Sequence, residues 1–126
     1  MWRTYLNIHY EPYPFPLPWR TWLLKADPDA PVLEIAGAQE WTDLVERYPA
    51  DGAAGLVGPD WVGASREYAG VHLTLSGIVA VQGFSFPTSH GGTAPEYWDV
   101  ESTRWLSPRL SDPMLVEVAT EVPSEW

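Results

Sequence analysis

One helical spacing pattern lies between several strand patterns, and this order constrains the fold of the chain. From Ala38 to Tyr48 the apolar residues recur every three or four positions, at Trp41, Leu44, Val45 and Tyr48. This spacing is typical of a helix that buries one face. Pro49 cannot continue such a helix, because it lacks the backbone N–H donor. We therefore expect one principal helix over Ala38–Tyr48.

The segments on either side of this helix are typical of strands, because they alternate apolar and polar residues or are rich in β-branched and aromatic residues. The candidate strands are Trp2–Tyr10, Trp19–Lys25, Val32–Ala36, Val71–Phe86, Tyr97–Leu106 and Met114–Val122. Turn residues over Asp27–Pro31 predict a hairpin between the second and third candidates. Val71–Phe86 is expected to be one bent strand or a hairpin, and Asp60 is expected to cap a short second helix.

Strands that follow one another without an intervening helix favour antiparallel pairing. The sequence therefore predicts an α+β fold, with a mainly antiparallel sheet of about six strands and the principal helix packed on it. No repeat or low-complexity linker marks a boundary, and 126 residues suit a single domain over residues 1–126.

A net charge of −10, from 17 acidic and 7 basic residues, limits the partners of this tryptophan-rich chain. The excess of carboxylates repels nucleic acids and anionic membranes. No apolar stretch approaches the roughly 20 residues that cross a bilayer, and no segment has the pattern of a signal peptide. We expect a cytoplasmic protein with neither nucleic-acid nor membrane partners. The absence of cysteine excludes disulfides and thiolate chemistry.

His72 and Glu101 are the candidate catalytic residues. His72 shares a predicted strand face with hydroxyl side chains, and histidine moves protons near neutral pH. Glu101 shares a predicted strand face with Asp99, and such carboxylates lie about 7 Å apart, near the separation that paired-acid catalysis uses. If the protein is an enzyme, His72 and Glu101 should lie within one pocket. The alternative, which the sequence favours at both positions, is a solvated polar strand face.

The three histidines, His9, His72 and His90, show no spacing that brings two metal ligands to one face, so we expect neither a metal nor a cofactor. Ser89 and His90 are neighbours within Pro87–Glu96, which is predicted to be a loop. The sequence around them lacks the strand–turn–helix pattern of a nucleophile elbow, so they are not expected to form a nucleophile and its base.

A segment of alternating prolines and apolar residues precedes the second candidate strand. If the chain is extended here, the prolines remove the donors of one backbone edge, and one face collects Tyr13, Phe15, Leu17 and Trp19. The sequence favours a face that covers the protein's own core. Our hypothesis for function is the other outcome, an exposed strip that binds another protein or a second copy of this chain, with acidic residues as its rim.

Three segments, Pro59–Trp61, Gly70–Thr74 and Trp98–Leu106, resemble short uncharacterised proteins of high-GC actinobacteria and their phages. The resemblance covers roughly Val32 to Leu106. No activity is attached to these motifs, so the resemblance implies only a small cytosolic domain of bacterial or phage origin.

Three functions are compatible with these observations. The first is a non-enzymatic interaction protein, such as an accessory, immunity or antitoxin-like partner, whose acidic charge and aromatic residues hold another protein. The second is a small enzyme, for instance a nucleotide-related transferase, that uses His72 and Glu101. The third is a DNA mimic, which requires ordered rows of carboxylates, whereas here the carboxylates are interspersed with apolar residues.

Overall fold

The computed structural model of this protein describes residues 16–95 and 98–121, which form two compact units. The first unit contains residues 16–25 and 110–121, and the second, which we call the core unit, is Ala26–Arg109. The α+β class is confirmed, because the described elements include both helices and strands. The single domain stays a prediction. The candidate strand Trp2–Tyr10 lies outside the described residues.

The described elements alternate strands with short helices along the chain. They are β1 (Trp19–Leu23), β2 (Val32–Ile35), α1 (Ala38–Arg47), β3 (Pro49–Asp51), a 3-10 helix (Ala53–Gly55), β4 (Val57–Pro59), α2 (Trp61–Ala64), β5 (Gly70–Leu73), α3 (Leu75–Val81), β6 (Phe86–Thr88), β7 (Gly91–Thr93), β8 (Ser102–Trp105) and β9 (Met114–Ala119).

The strands within the described residues are divided among four sheets, rather than joined in the single sheet of about six strands that the sequence predicts. The central sheet of the core unit has the order β2-β5-β8, with β2 parallel and β8 antiparallel to β5. Three further pairs, β1-β9, β3-β4 and β6-β7, are antiparallel. Helix α1 lies in the connection that makes β2 and β5 parallel, as a parallel crossover requires.

The predicted hairpin between the second and third candidate strands is wrong, because β1 pairs with β9 and β2 pairs with β5. The turn that the sequence predicts at Asp27–Pro31 is nevertheless present. The Asp27 carbonyl accepts a hydrogen bond from the Ala30 N–H, and the Asp27 side chain accepts one from the Asp29 N–H. However, the Asp27 N–H donates to the Arg109 carbonyl. A local turn therefore does not decide which strands pair.

Helix α1 occupies the predicted segment and ends at Arg47, where the Tyr48 N–H still donates to the Leu44 carbonyl. Its apolar face is buried as the spacing predicts, with Trp41, Leu44 and Val45 in the core. Ile35, Val71 and Leu73, from one face of the central sheet, belong to the same buried cluster. The helix thus packs on this face, which we call the core face of the sheet.

The prediction of a strand or hairpin over Val71–Phe86 is wrong after Leu73, because the chain forms helix α3. Thr74 caps this helix by accepting a hydrogen bond from the Gly77 N–H. Ile78 and Val81 face the core, whereas Leu75 and Val79 are 62% and 73% exposed.

The predicted cap at Asp60 is confirmed, since its side chain accepts hydrogen bonds from the Val62 and Gly63 amides of α2.

The predicted loop Pro87–Glu96 contains a hairpin instead, made by β6 and β7 around Ser89 and His90. Thr88 stabilises the turn, because its hydroxyl donates to the Gly91 carbonyl and accepts from the His90 N–H. Gly91 has a φ of 129°, a conformation that favours glycine.

None of the helices in the described part of the chain has the length and apolar character needed to cross a membrane.

Candidate functional site

His72 and Glu101 lie next to each other in the structure. The central sheet places His72 opposite Thr103 on β8, on the face away from the core. The Nδ1 atom of His72 is 2.8 Å from the Thr103 hydroxyl, and its Nε2 atom is 3.6 Å from a Glu101 carboxylate oxygen. The two side chains are therefore close neighbours, and their position within one pocket and their catalytic role stay predictions.

The contacts of His72 limit what its ring can do. The Thr103 hydroxyl both donates and accepts, so it fits either tautomer of the imidazole. Glu101 faces the opposite nitrogen. Direct proton transfer requires a separation of about 3 Å or a bridging water. At 3.6 Å, Glu101 is therefore placed to orient the ring.

The predicted carboxylate pair on one strand face is not formed, because β8 begins at Ser102, after both Asp99 and Glu101. Side-chain hydrogen bonds close a turn at this point. The Trp98 indole N–H donates to the Ser102 hydroxyl, and that hydroxyl donates to the Val100 carbonyl. These two bonds hold residues 98–101 in a turn before the strand and allow Glu101 to reach His72.

A second polar cluster joins α1 to the β6–β7 turn. Glu46 accepts hydrogen bonds from the backbone N–H and the hydroxyl of Ser89, and His90 Nε2 is 3.6 Å from the same carboxylate. The hydrogen bonds from Ser89 hold the pKa of Glu46 below its usual value. Ser89 and His90 both contact Glu46, and these contacts attach the β6–β7 hairpin to helix α1.

Three tryptophans converge on one cavity in the core unit. The ring centroids of Trp41, Trp61 and Trp98 are 6.3–6.5 Å apart, and they line a cavity of about 410 Å³. The Arg104 guanidinium lies 4.6 Å from the centroid of the Trp61 ring. The sequence alone does not reveal this cavity, because its tryptophans come from α1, α2 and the segment before β8.

The predicted partner-binding strip is described only in part. Tyr13 and Phe15 lie outside the described residues, Leu17 is exposed and Trp19 is half-buried at the start of β1. The structure shows a further apolar surface on the two-stranded ribbon of β1 and β9. Trp22, Leu115 and Val118 lie on one face of this ribbon, because Trp22 pairs with Leu115 and Val118 pairs with Arg20, and all three are exposed. A bulge in β9 places Leu23 and Met114 on the other face. We call Trp22, Leu115 and Val118 the apolar face.

Within residues 16–95 and 98–121, no group of three or more potential ligands could hold a metal ion. Comparisons with protein-family models, curated proteins and solved structures find no match for this chain. The resemblance to actinobacterial and phage proteins therefore stays a prediction, and function has to be argued from the geometry.

Proposed function

We propose that this protein is a non-enzymatic interaction domain that self-associates through the apolar face of its ribbon. The observation that carries the proposal is the exposure of this face, where Trp22 and Val118 are 48% and 47% exposed. Trp22, Leu115 and Val118 are neighbours on this face and form a contiguous apolar surface. Such surfaces mark interaction sites more often than scattered exposed apolar residues do.

The length of the ribbon is a second argument for a partner. Strands β1 and β9 have five and six residues and form a two-stranded sheet. An isolated hairpin-like pair of strands is marginally stable in water, because it buries little apolar area. Burial of the apolar face against another apolar surface would add stabilisation to this pair of strands.

Charge favours a second copy of this chain as the occupant. The described ribbon unit carries two cations and three carboxylates, so it is nearly neutral. The core unit carries four cations and twelve carboxylates, so two core units repel each other. A dimer with twofold symmetry uses the same patch on both copies. The ribbon can therefore meet its own copy with less charge repulsion than the core unit can.

Sedimentation velocity over a wide range of concentrations tests this proposal. We expect the wild-type chain to be a dimer and the double variant Leu115→Thr, Val118→Thr to be a monomer. Threonine keeps a high strand propensity, and it places a hydroxyl where the dimer needs an apolar group. The unfolding transition of the core unit should stay unchanged.

Met114→Thr is the matched control, because Met114 is an exposed residue of the same strand that pairs with Leu23 on the opposite face of the ribbon. This variant should remain a dimer. A wild-type chain that is monomeric at every concentration, or a double variant that still dimerises, contradicts the proposal.

An accessory, immunity or antitoxin-like role, or DNA mimicry, would add a further partner and stays a prediction.

A small enzyme is the second candidate, because His72 contacts both Thr103 and Glu101. This candidate requires the wild-type protein to turn over a substrate such as a nucleoside triphosphate or NAD. His72→Gln should then lower the rate by about a hundredfold or more, the usual effect of removing a general acid or base. Glu34→Gln is the control, because Glu34 lies opposite His72 on β2. If the wild-type protein turns over none of these nucleotides, the transferase hypothesis fails.

A further inference from the structure

The cavity beside the three tryptophans differs in charge from the rest of the molecule. In a chain with 17 acidic residues, the described residues that line this cavity include neither Asp nor Glu. Arg104 is the one charged residue among them. A net charge of −10 makes most of this protein unfavourable for anions, so the cavity is a local exception.

Arg104 is placed at this cavity by the register of the central sheet. It lies directly opposite Val71, which is fully buried on the core face. Arginine on a core face is unfavourable unless its head reaches water or a partner. Arg104 satisfies this requirement because β8 is an edge strand, and its guanidinium extends over Trp61 into the cavity. None of the described carboxylates forms an ion pair with it.

The cavity walls favour a flat ring. Trp61 and Trp98 are half-buried, so part of each indole faces the open space, whereas Trp41 is buried beneath them. Exposed indole surface binds planar aromatic groups by stacking and edge-to-face contact. A volume of about 410 Å³ falls within the range of about 300–1,000 Å³ that small-molecule sites occupy.

We propose that this cavity binds a small planar aromatic molecule that carries one anionic group. The ring lies against Trp61 and Trp98, and the anion accepts hydrogen bonds from the Arg104 guanidinium, whose fork matches a carboxylate or a phosphate. The shared chemistry is a flat ring joined to a phosphate or carboxylate, as in a mononucleotide or an aromatic acid. This proposal does not depend on dimerisation through the ribbon.

Isothermal titration calorimetry with two probes tests the site, and the probes separate the two sources of the anion. Adenosine 5′-monophosphate supplies a phosphate, and indole-3-acetate supplies a carboxylate. We expect at least one of them to bind, and its uncharged analogue, adenosine or indole-3-ethanol, to bind at least about tenfold more weakly. Ribose 5-phosphate, which lacks the ring, should not bind. Binding should also shift the NMR signals of the tryptophan indole N–H groups.

Variants of Arg104 complete the test. Arg104→Gln should weaken binding of the anionic probe by about tenfold or more, and Arg104→Lys should have an intermediate effect, because it keeps the charge without the planar fork. Arg66→Gln is the matched control, since Arg66 is exposed in the same unit and does not line the cavity. The proposal is overturned if neither probe binds, if the uncharged analogues bind equally well, or if Arg104→Gln keeps full affinity.

Discussion

Replacement of Trp41 with alanine is expected to lower the free energy of unfolding by about 3–5 kcal/mol. Trp41 is 2% exposed and packs between α1 and the rest of the core. Its ring contacts the rings of Trp61 and Trp98, and its indole N–H donates to the Thr93 hydroxyl. The variant would leave a large cavity and a fully buried hydroxyl that has lost its donor.

Denaturant unfolding followed by far-ultraviolet circular dichroism measures this effect. Trp41→Phe separates packing from hydrogen bonding, because it keeps an aromatic ring and loses the indole N–H. We expect this variant to fall between wild type and Trp41→Ala. A loss below about 1 kcal/mol in Trp41→Ala, the size of an average substitution, would show that this face of α1 is not core.

The features that were predicted correctly depend on short stretches of sequence. The buried face of α1 follows from apolar residues three and four positions apart, and Pro49 gives its end. The cap of α2 follows from Asp60, because a carboxylate at that position accepts hydrogen bonds from the next turn whatever the tertiary contacts are. Signals of this kind lie within about one helical turn, so the sequence alone is enough to recognise them.

Helix α3 was missed because a short apolar run with β-branched residues fits either a strand or a buried helix. Tertiary packing decides the outcome here, since Ile78 and Val81 reach the core only if the segment is helical. Thr74 is the local signal in retrospect, because threonine before a helix is a favourable cap. Without knowledge of the packing, that signal was too weak to outweigh the strand pattern.

The candidate sites depend on pairing between distant segments, which one sequence does not specify. His72 and Glu101 were selected separately, and they meet because β5 pairs with β8. The cavity was missed for the same reason, since the position of Arg104 over Trp61 depends on that strand register. The alternation of apolar residues in β9 predicts a strand. The pairing of β9 with β1 decides which of its apolar side chains share a face, and the sequence does not specify that pairing.

Replacement of Gly77 with alanine is expected to destabilise the protein by about 3 kcal/mol, at the upper end of the usual cost of overpacking. A Cβ atom on Gly77 would lie 2.2 Å from the backbone carbonyl oxygen of Ile35 and 2.9 Å from a methyl carbon of Leu73. The carbonyl cannot move easily, because it belongs to the buried end of β2 and accepts hydrogen bonds from the backbone and hydroxyl of Thr74.

The sign of this effect distinguishes close packing from helix propensity. In an exposed helix, alanine is more favourable than glycine by about 1 kcal/mol, so propensity alone predicts that Gly77→Ala is more stable than wild type. Gly58→Ala is the control, because a Cβ at Gly58 meets no atom within 4 Å. It should change the stability by less than about 0.5 kcal/mol. Chemical unfolding of both variants gives the comparison, and a Gly77→Ala variant as stable as wild type would show that α3 does not approach β2 so closely.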